Sequence, residues 1–124
     1  MNFKHHKTLT GEKWSEFPFY KQIIMIANEL NRARNWIIKK DFEEVKNCYE
    51  RAFELIDLTV SVLVSPAPVY RVRVSLSLRR ELLRFRGILA GVYVNKQNNI
   101  EMNQKLINVL LSLNKDSYNL LVRE

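Results

Sequence analysis

At 124 residues, with 47% hydrophobic and 27% charged residues, the chain is long enough for one domain with a core that needs neither metal nor disulfide support. Three glycines, three prolines and one cysteine argue against an all-β fold, a glycine-loop α/β fold and a disulfide framework. The net charge of +7 is uneven: residues 1–64 carry ten Lys/Arg against nine Asp/Glu, and residues 65–124 carry ten against four. Such a surplus favours acidic partners or nucleic acid at low salt, and it also serves solubility.

The chain opens with MNFKHHKTLTGEKW, which lacks the apolar run of a signal peptide. No later run is long enough to span a bilayer, since 55–64 is interrupted by Asp57, Thr59 and Ser61. The reading is a soluble, cytoplasmic protein. Residues 1–16 are polar and read as a flexible segment, with Trp14 and Phe17 the residues able to fold back. A single domain then spans 17–124.

Pro18 suits a helix start, where its missing N–H costs nothing. Ile23, Ile26, Ala27, Leu30, Ala33 and Ile37 recur at helical spacing to about Lys39. A second helix follows almost at once over 41–63. Asp41 and Glu44 form a capping box at its start, and apolar or small residues recur at 42, 45, 49, 52, 56, 59 or 60, and 63. The short connection implies an antiparallel hairpin.

SPAP at 65–68 is the one long break, because two closely spaced prolines cannot sit inside a continuing helix. VYRVRVSLSL then alternates apolar and polar residues, a strand pattern when taken alone. The favoured reading is a loop entering a third helix from roughly Val72 or Ser75, because Leu78, Leu82, Phe85, Leu89 and Val92 form one stripe and a lone strand has no partner. NKQNN ends that helix. A fourth covers roughly 100–121, with Met102, Leu106, Val109, Leu110, Leu113, Ser117 and Leu120 inward. The predicted fold class is all-α, an antiparallel up-down four-helix bundle with a proline-containing loop between its second and third helices.

No catalytic, cofactor or metal constellation emerges. His5 and His6 are adjacent, so their side chains diverge, and no cluster of further ligands stands at zinc-site spacing. Paired Glu-x-x-His segments of a di-iron centre are missing, and Cys48 has no downstream histidine to activate it. A non-enzymatic protein with no cofactor is the reading. Two features suggest partners instead. Met25 and Trp36 beside the first stripe, and Leu55, Leu58 and Val62 beside the second, widen the apolar surface beyond one seam. They are candidate contacts for another protein or a second copy of the chain. Arg71, Arg73, Arg79, Arg80, Arg84 and Arg86 make the third helix basic, a candidate surface for an anion or nucleic acid, RNA before DNA. Glu50, Glu54 and Asp57 on the second helix are positioned to neutralise it through cross-helix ion pairs.

NCYERAFELIDL looks like the second helix of a tetratricopeptide unit, but the 34-residue period does not recur. A longer pattern resembles the bacterial flagellin-export chaperone family. It consists of a first helix ending near NWIIKK, then KDFEEVKNCYERAFELIDLTVSVL, an arginine-containing third helix, and NNIEMNQKLINVLLSLNKDSYNLL. SPAPVYRVRVS replaces that family's acidic, glycine-containing approach to the third helix, and LRRELLRFRG replaces its tyrosine-rich pattern. The resemblance implies a helical bundle that holds a secreted partner on apolar helix surfaces. The expected function is a protein-interaction adaptor or chaperone-like bundle, with nucleic-acid binding through the arginines as the alternative.

Overall fold

The computed structural model describes residues 3–63 and 69–123, with the side chains of 69–75 and 116–123 outside the description. The described residues are all-helical: α1 (Gly11–Trp14), α2 (Phe19–Ile38), α3 (Phe42–Val62), α4 (Val69–Val94) and α5 (Ile100–Arg123). α2 packs against α3 and α5, α4 packs against α3 and α5, and α1 lies on α3. The proline-containing connection falls at 64–68, outside the described residues.

α2 and α4 bury the stripes their spacing dictates, and α3 buries Val45, Tyr49, Ala52, Ile56 and Thr59 of its expected stripe while Phe42 at its start is exposed. Ile23, Ile26, Ala27, Leu30, Ala33 and Ile37 of α2 are all buried, as are Leu78, Leu82, Phe85, Leu89 and Val92 of α4. The α5 stripe is shifted from the expected one. Asn103, Leu106, Ile107, Leu110 and Leu113 are buried, while Val109 is exposed and Met102 half-buried. The expected Ser117 and Leu120 lie outside the described side chains. α4 starts at Val69, so the alternating segment is neither strand nor loop. Alternation on a helix distributes apolar side chains around the axis instead of onto one face, which hides the helical period.

Two turns share one device. At the end of α2, Lys40 N donates to Ile37 O at 3.0 Å and Asp41 N to Trp36 O at 3.0 Å. At the end of α4, Lys96 N donates to Tyr93 O at 3.2 Å and Gln97 N to Val92 O at 3.0 Å. Both are Schellman closures, and both place a lysine where glycine is usual, with φ of 60° at Lys40 and 51° at Lys96. Asp41 then caps α3, accepting from Glu44 N at 3.3 Å, so the hairpin turns within three residues, 39–41. Asn99 caps α5 in the same way through Met102 N at 2.8 Å.

The segment expected to be flexible is laid down against α3. Trp14 is fully buried, and its Nε1 donates to Thr59 Oγ1 at 2.8 Å. Gln22 Nε2 donates to Trp14 O and Phe17 O, each at 3.0 Å, which fixes the corner between α1 and α2. An indole is amphipathic, and here its apolar body and its N–H are both satisfied by α3.

Candidate functional site

The polar chemistry of the molecule is concentrated on the side of α3 that faces α4 and the N-terminal segment. Glu50, Glu54 and Asp57 follow at helical spacings of four and three, so one face carries three carboxylates. Each has a separate partner. Glu50 accepts from Tyr93 Oη at 2.7 Å and from Lys4 Nζ at 3.3 Å, and its Oε1 lies 3.1 Å from His5 Nε2. Burial pushes the Glu50 carboxyl up, but the bonds from Tyr93, His5 and Lys4 outweigh it and hold the pKa at about 2. Donation to Glu50, joined by burial, raises the Tyr93 phenol to about 12.

Glu54 acts as an anchor for the start of the chain. It accepts the backbone N–H of His5 at 3.0 Å and of His6 at 2.8 Å, and His6 Nδ1 lies 2.8 Å from the same carboxylate. Burial alone would raise the Glu54 pKa. The two backbone donors and the His6 ring reverse that and lower it. His5 and His6, read as tail residues, are therefore bound to α3.

Asp57 pairs with Arg86, whose Nε lies 2.7 Å from Oδ1 and whose Nη2 lies 3.4 Å from Oδ2. The Arg86 guanidinium also sits 5.1 Å from the Phe53 ring centroid, and Phe53 meets Tyr93 edge-on at 5.6 Å. A fork bound bidentately at one end and stacked at the other is held in place. Of the cross-helix ion pairs expected between the acids of the second predicted helix and the arginines of the third, including Arg80 and Arg84, only Asp57 with Arg86 is found among the described residues. Glu50 and Glu54 serve Tyr93 and the N-terminal segment instead.

The remaining candidate arginines separate. Arg84 makes an exposed pair with Glu81 of its own helix at 3.4 Å. Arg80 is exposed, and Arg79 is half-buried with its Nε lacking a hydrogen-bond partner. The side chains of Arg71 and Arg73 lie outside the description. The arginines are therefore spread between a committed inner side and an open outer one.

The candidate partner residues require correction. Leu55 and Leu58 are core residues, and Val62 is half-buried where α1 crosses α3. A Cβ added at Gly11 would stand 3.7 Å from Val62 Cγ1. The physical reason is that α2, α4 and α1 cover α3 from three directions, so its broad apolar surface is used internally. Met25 and Trp36 pack half-buried against the core, with the Lys39 ammonium 5.0 Å from the Trp36 ring centroid.

A second network, centred on buried Glu29 and Cys48, joins α2 and α3. Glu29 receives Arg51 Nε and Arg32 Nη1, each at 3.0 Å, and Arg51 Nη2 lies 3.1 Å from Cys48 Sγ. Burial raises the Cys48 thiol pKa, the condition of an inert filler and not of a nucleophile. Among the described residues no group of three His, Cys, Asp or Glu side chains stands ready for a metal ion, and no helix is long and apolar enough to cross a membrane.

Sequence reasoning missed where apolar surface remains open. Leu76, Leu83 and Val94 of α4 are 50%, 39% and 72% exposed. Positions 76, 80, 83, 87, 90 and 94 alternate spacings of four and three, a heptad seam on the side of α4 opposite its buried stripe. The seam reads Leu76, Arg80, Leu83, Gly87, Ala90 and Val94. A Cβ placed on Gly87 or Gly91 would meet nothing within 4 Å, so neither glycine is required by packing within the chain. Comparison of the chain with protein-family models, curated proteins and solved structures returns no match.

Proposed function

We propose that the four long helices close as an antiparallel up-down bundle that works as a non-enzymatic, cytoplasmic protein-interaction module, adaptor or chaperone-like, through the outer seam of α4. The bundle reading is supported by the cyclic packing of α2, α3, α4 and α5 and by cross-helix pairs of opposite order. Arg34 Nη1 donates to Gln104 Oε1 at 3.0 Å, while Tyr20 shares a surface depression with Leu111 and Lys115.

The observation that carries the functional reading is the exposed heptad seam. A solvent-facing helix side has no internal reason to place leucines a heptad apart, and two helix-interior glycines cost about 1 kcal/mol each relative to alanine. Both features suit the close approach of a second helix. Arg80 within the seam, which makes no ion pair among the described residues, favours an acidic partner, while Arg84 beside it is paired with Glu81. Two copies of the chain on this seam would bring like charges together. The occupant is therefore an amphipathic helix with leucines on one side and carboxylates flanking them. The resemblance to flagellin-export chaperones implies a related role, holding a secreted partner in extended or helical form on apolar helix surfaces.

The test is fluorescence anisotropy of a labelled acidic amphipathic peptide, with leucines in heptad spacing, titrated with the intact protein. Saturable binding that weakens with salt and is lost in Leu83→Glu supports the reading, with circular dichroism showing that the exposed substitution leaves the fold intact. No binding refutes it. A mass above 14.7 kDa in light scattering that depends on Leu83 would place a second copy on the seam instead. Oligonucleotide binding that Arg80→Ala weakens evenly across sequences would favour the nucleic-acid alternative.

A further inference from the structure

A cleft of about 390 Å³ opens between the first turns of α3 and the C-terminal end of α4, away from the middle of the α4 seam. Phe42, Tyr93 and Val94 supply its apolar walls, and Tyr49, only 1% exposed, closes its inner side. Lys46, Lys96 and Glu43 bring the charges. We propose that this cleft binds a small aromatic monocarboxylate, with the ring system between Phe42, Tyr93 and Val94 and the carboxylate between the ammonium groups of Lys46 and Lys96.

Size sets the first limit. A cavity of about 150 Å³ holds benzene, so the cleft has room for a fused pair of rings and a charged group. It lies near the small end of the range that takes organic ligands. Charge sets the second. Among the described residues neither lysine is ion-paired. Two ammonium groups against one carboxylate leave a single positive charge, which matches a monoanion better than a phosphate dianion. Rigidity sets the third. Lys96 stands at the left-handed position of the α4 closure, tied by its own N–H and by that of Gln97, so its backbone is positioned before any ligand arrives. Phe42 and Val94 are both substantially exposed, and a ring lying between them would remove apolar surface from water on two sides.

The experiment is an amide NMR titration of the whole chain with naphthoate, alongside its neutral analogue naphthylmethanol and its cationic analogue naphthylmethylamine. The expected result is saturable shifts concentrated at residues 42–46 and 93–98, with the carboxylate bound most tightly and the amine least. Lys46→Gln and Lys96→Gln should each weaken naphthoate about fivefold, the scale of an exposed ion pair. Val94→Trp fills the cleft from an exposed position and should abolish binding with the fold intact. Leu83→Glu, which removes seam binding, should leave naphthoate affinity unchanged, so this site and the seam fail separately. The proposal is overturned by absence of saturable shifts at millimolar naphthoate, by equal affinity for the alcohol, or by affinity indifferent to both lysines.

Discussion

Replacing Trp14 measures whether the N-terminal segment belongs to the cooperative fold. A fully buried tryptophan removes on the order of 250 Å² from water, which at about 25 cal/mol per Å² gives roughly 6 kcal/mol. Residual burial in the unfolded chain reduces that to about 4 kcal/mol, within the range measured for large-to-alanine changes in cores. Trp14→Ala should therefore lower the urea midpoint by about 2 M, taking a slope of about 2 kcal/mol per M. Trp14→Phe keeps a ring in the site and its edge-on neighbour Phe17, whose centroid lies 5.8 Å away. It forfeits the 2.8 Å bond to Thr59, so the expected cost is about 1.5 kcal/mol.

Thr59→Val leaves the indole N–H buried without an acceptor and should cost about 2 kcal/mol. Thr59 also donates to Leu55 O at 2.8 Å, and that bond is lost in either background. Combining Trp14→Phe with Thr59→Val should thus be less harmful than the sum, with the shortfall measuring the Trp14–Thr59 bond. Urea unfolding followed by far-ultraviolet circular dichroism reads the wild type and all four variants without depending on the lost indole. A loss below about 1 kcal/mol in Trp14→Ala would refute the reasoning, because a surface residue away from special features costs no more than about 0.5 kcal/mol.

Lys40→Gly and Lys96→Gly should each stabilise the protein by about 1 kcal/mol, since the left-handed backbone at φ 60° and 51° strains any residue with a Cβ; thermal melts of the single and double variants test this. The Glu50 carboxyl is depressed from 4.5 to about 2, so its contribution is complete above pH 4.5 and disappears as pH falls toward 2. Glu50→Gln should flatten the acid limb of a stability-against-pH curve, and an unchanged limb would refute the assignment. Asn103 donates to Leu30 O at 3.0 Å and Tyr49 Oη at 3.1 Å while its buried Oδ1 lacks a partner. Asn103→Leu alone should destabilise by about 2 kcal/mol through the stranded Tyr49 hydroxyl, and adding Tyr49→Phe should recover most of that in chemical denaturation.

The helices were legible where burial follows a single period. α2 and the later turns of α4 obey it because each turns one stripe inward. A one-seam pattern is too narrow for α3, since a helix covered from three directions buries residues, Leu55 and Leu58 among them, that such a pattern assigns to its margin. α5 was read slightly out of register because Asn103 occupies an inward position and a polar side chain conceals the stripe. Three residues toward the N-terminus from Leu106 and seven from Leu110 was the available signal. Trp14 was singled out as able to fold back, but nothing in the local sequence names its partner, because Thr59 is 45 residues away.

The polar face was partly legible for a different reason. Spacing alone places Glu50, Glu54 and Asp57 on one side of α3, and it forecasts that acids there meet arginines from the next helix. It does not rank the donors that compete for each acid. Glu54 accepts the backbone N–H groups of His5 and His6, and Glu50 accepts the Tyr93 phenol, donors that a helix-to-helix spacing rule does not bring into view. Arg86 is left for Asp57, while Arg80 faces solvent among exposed leucines. Glu50 and Asp57 meet α4 through Tyr93 and Arg86, whereas the seam that carries Arg80 lies on the side of α4 opposite its buried stripe, so the acids of α3 do not neutralise it.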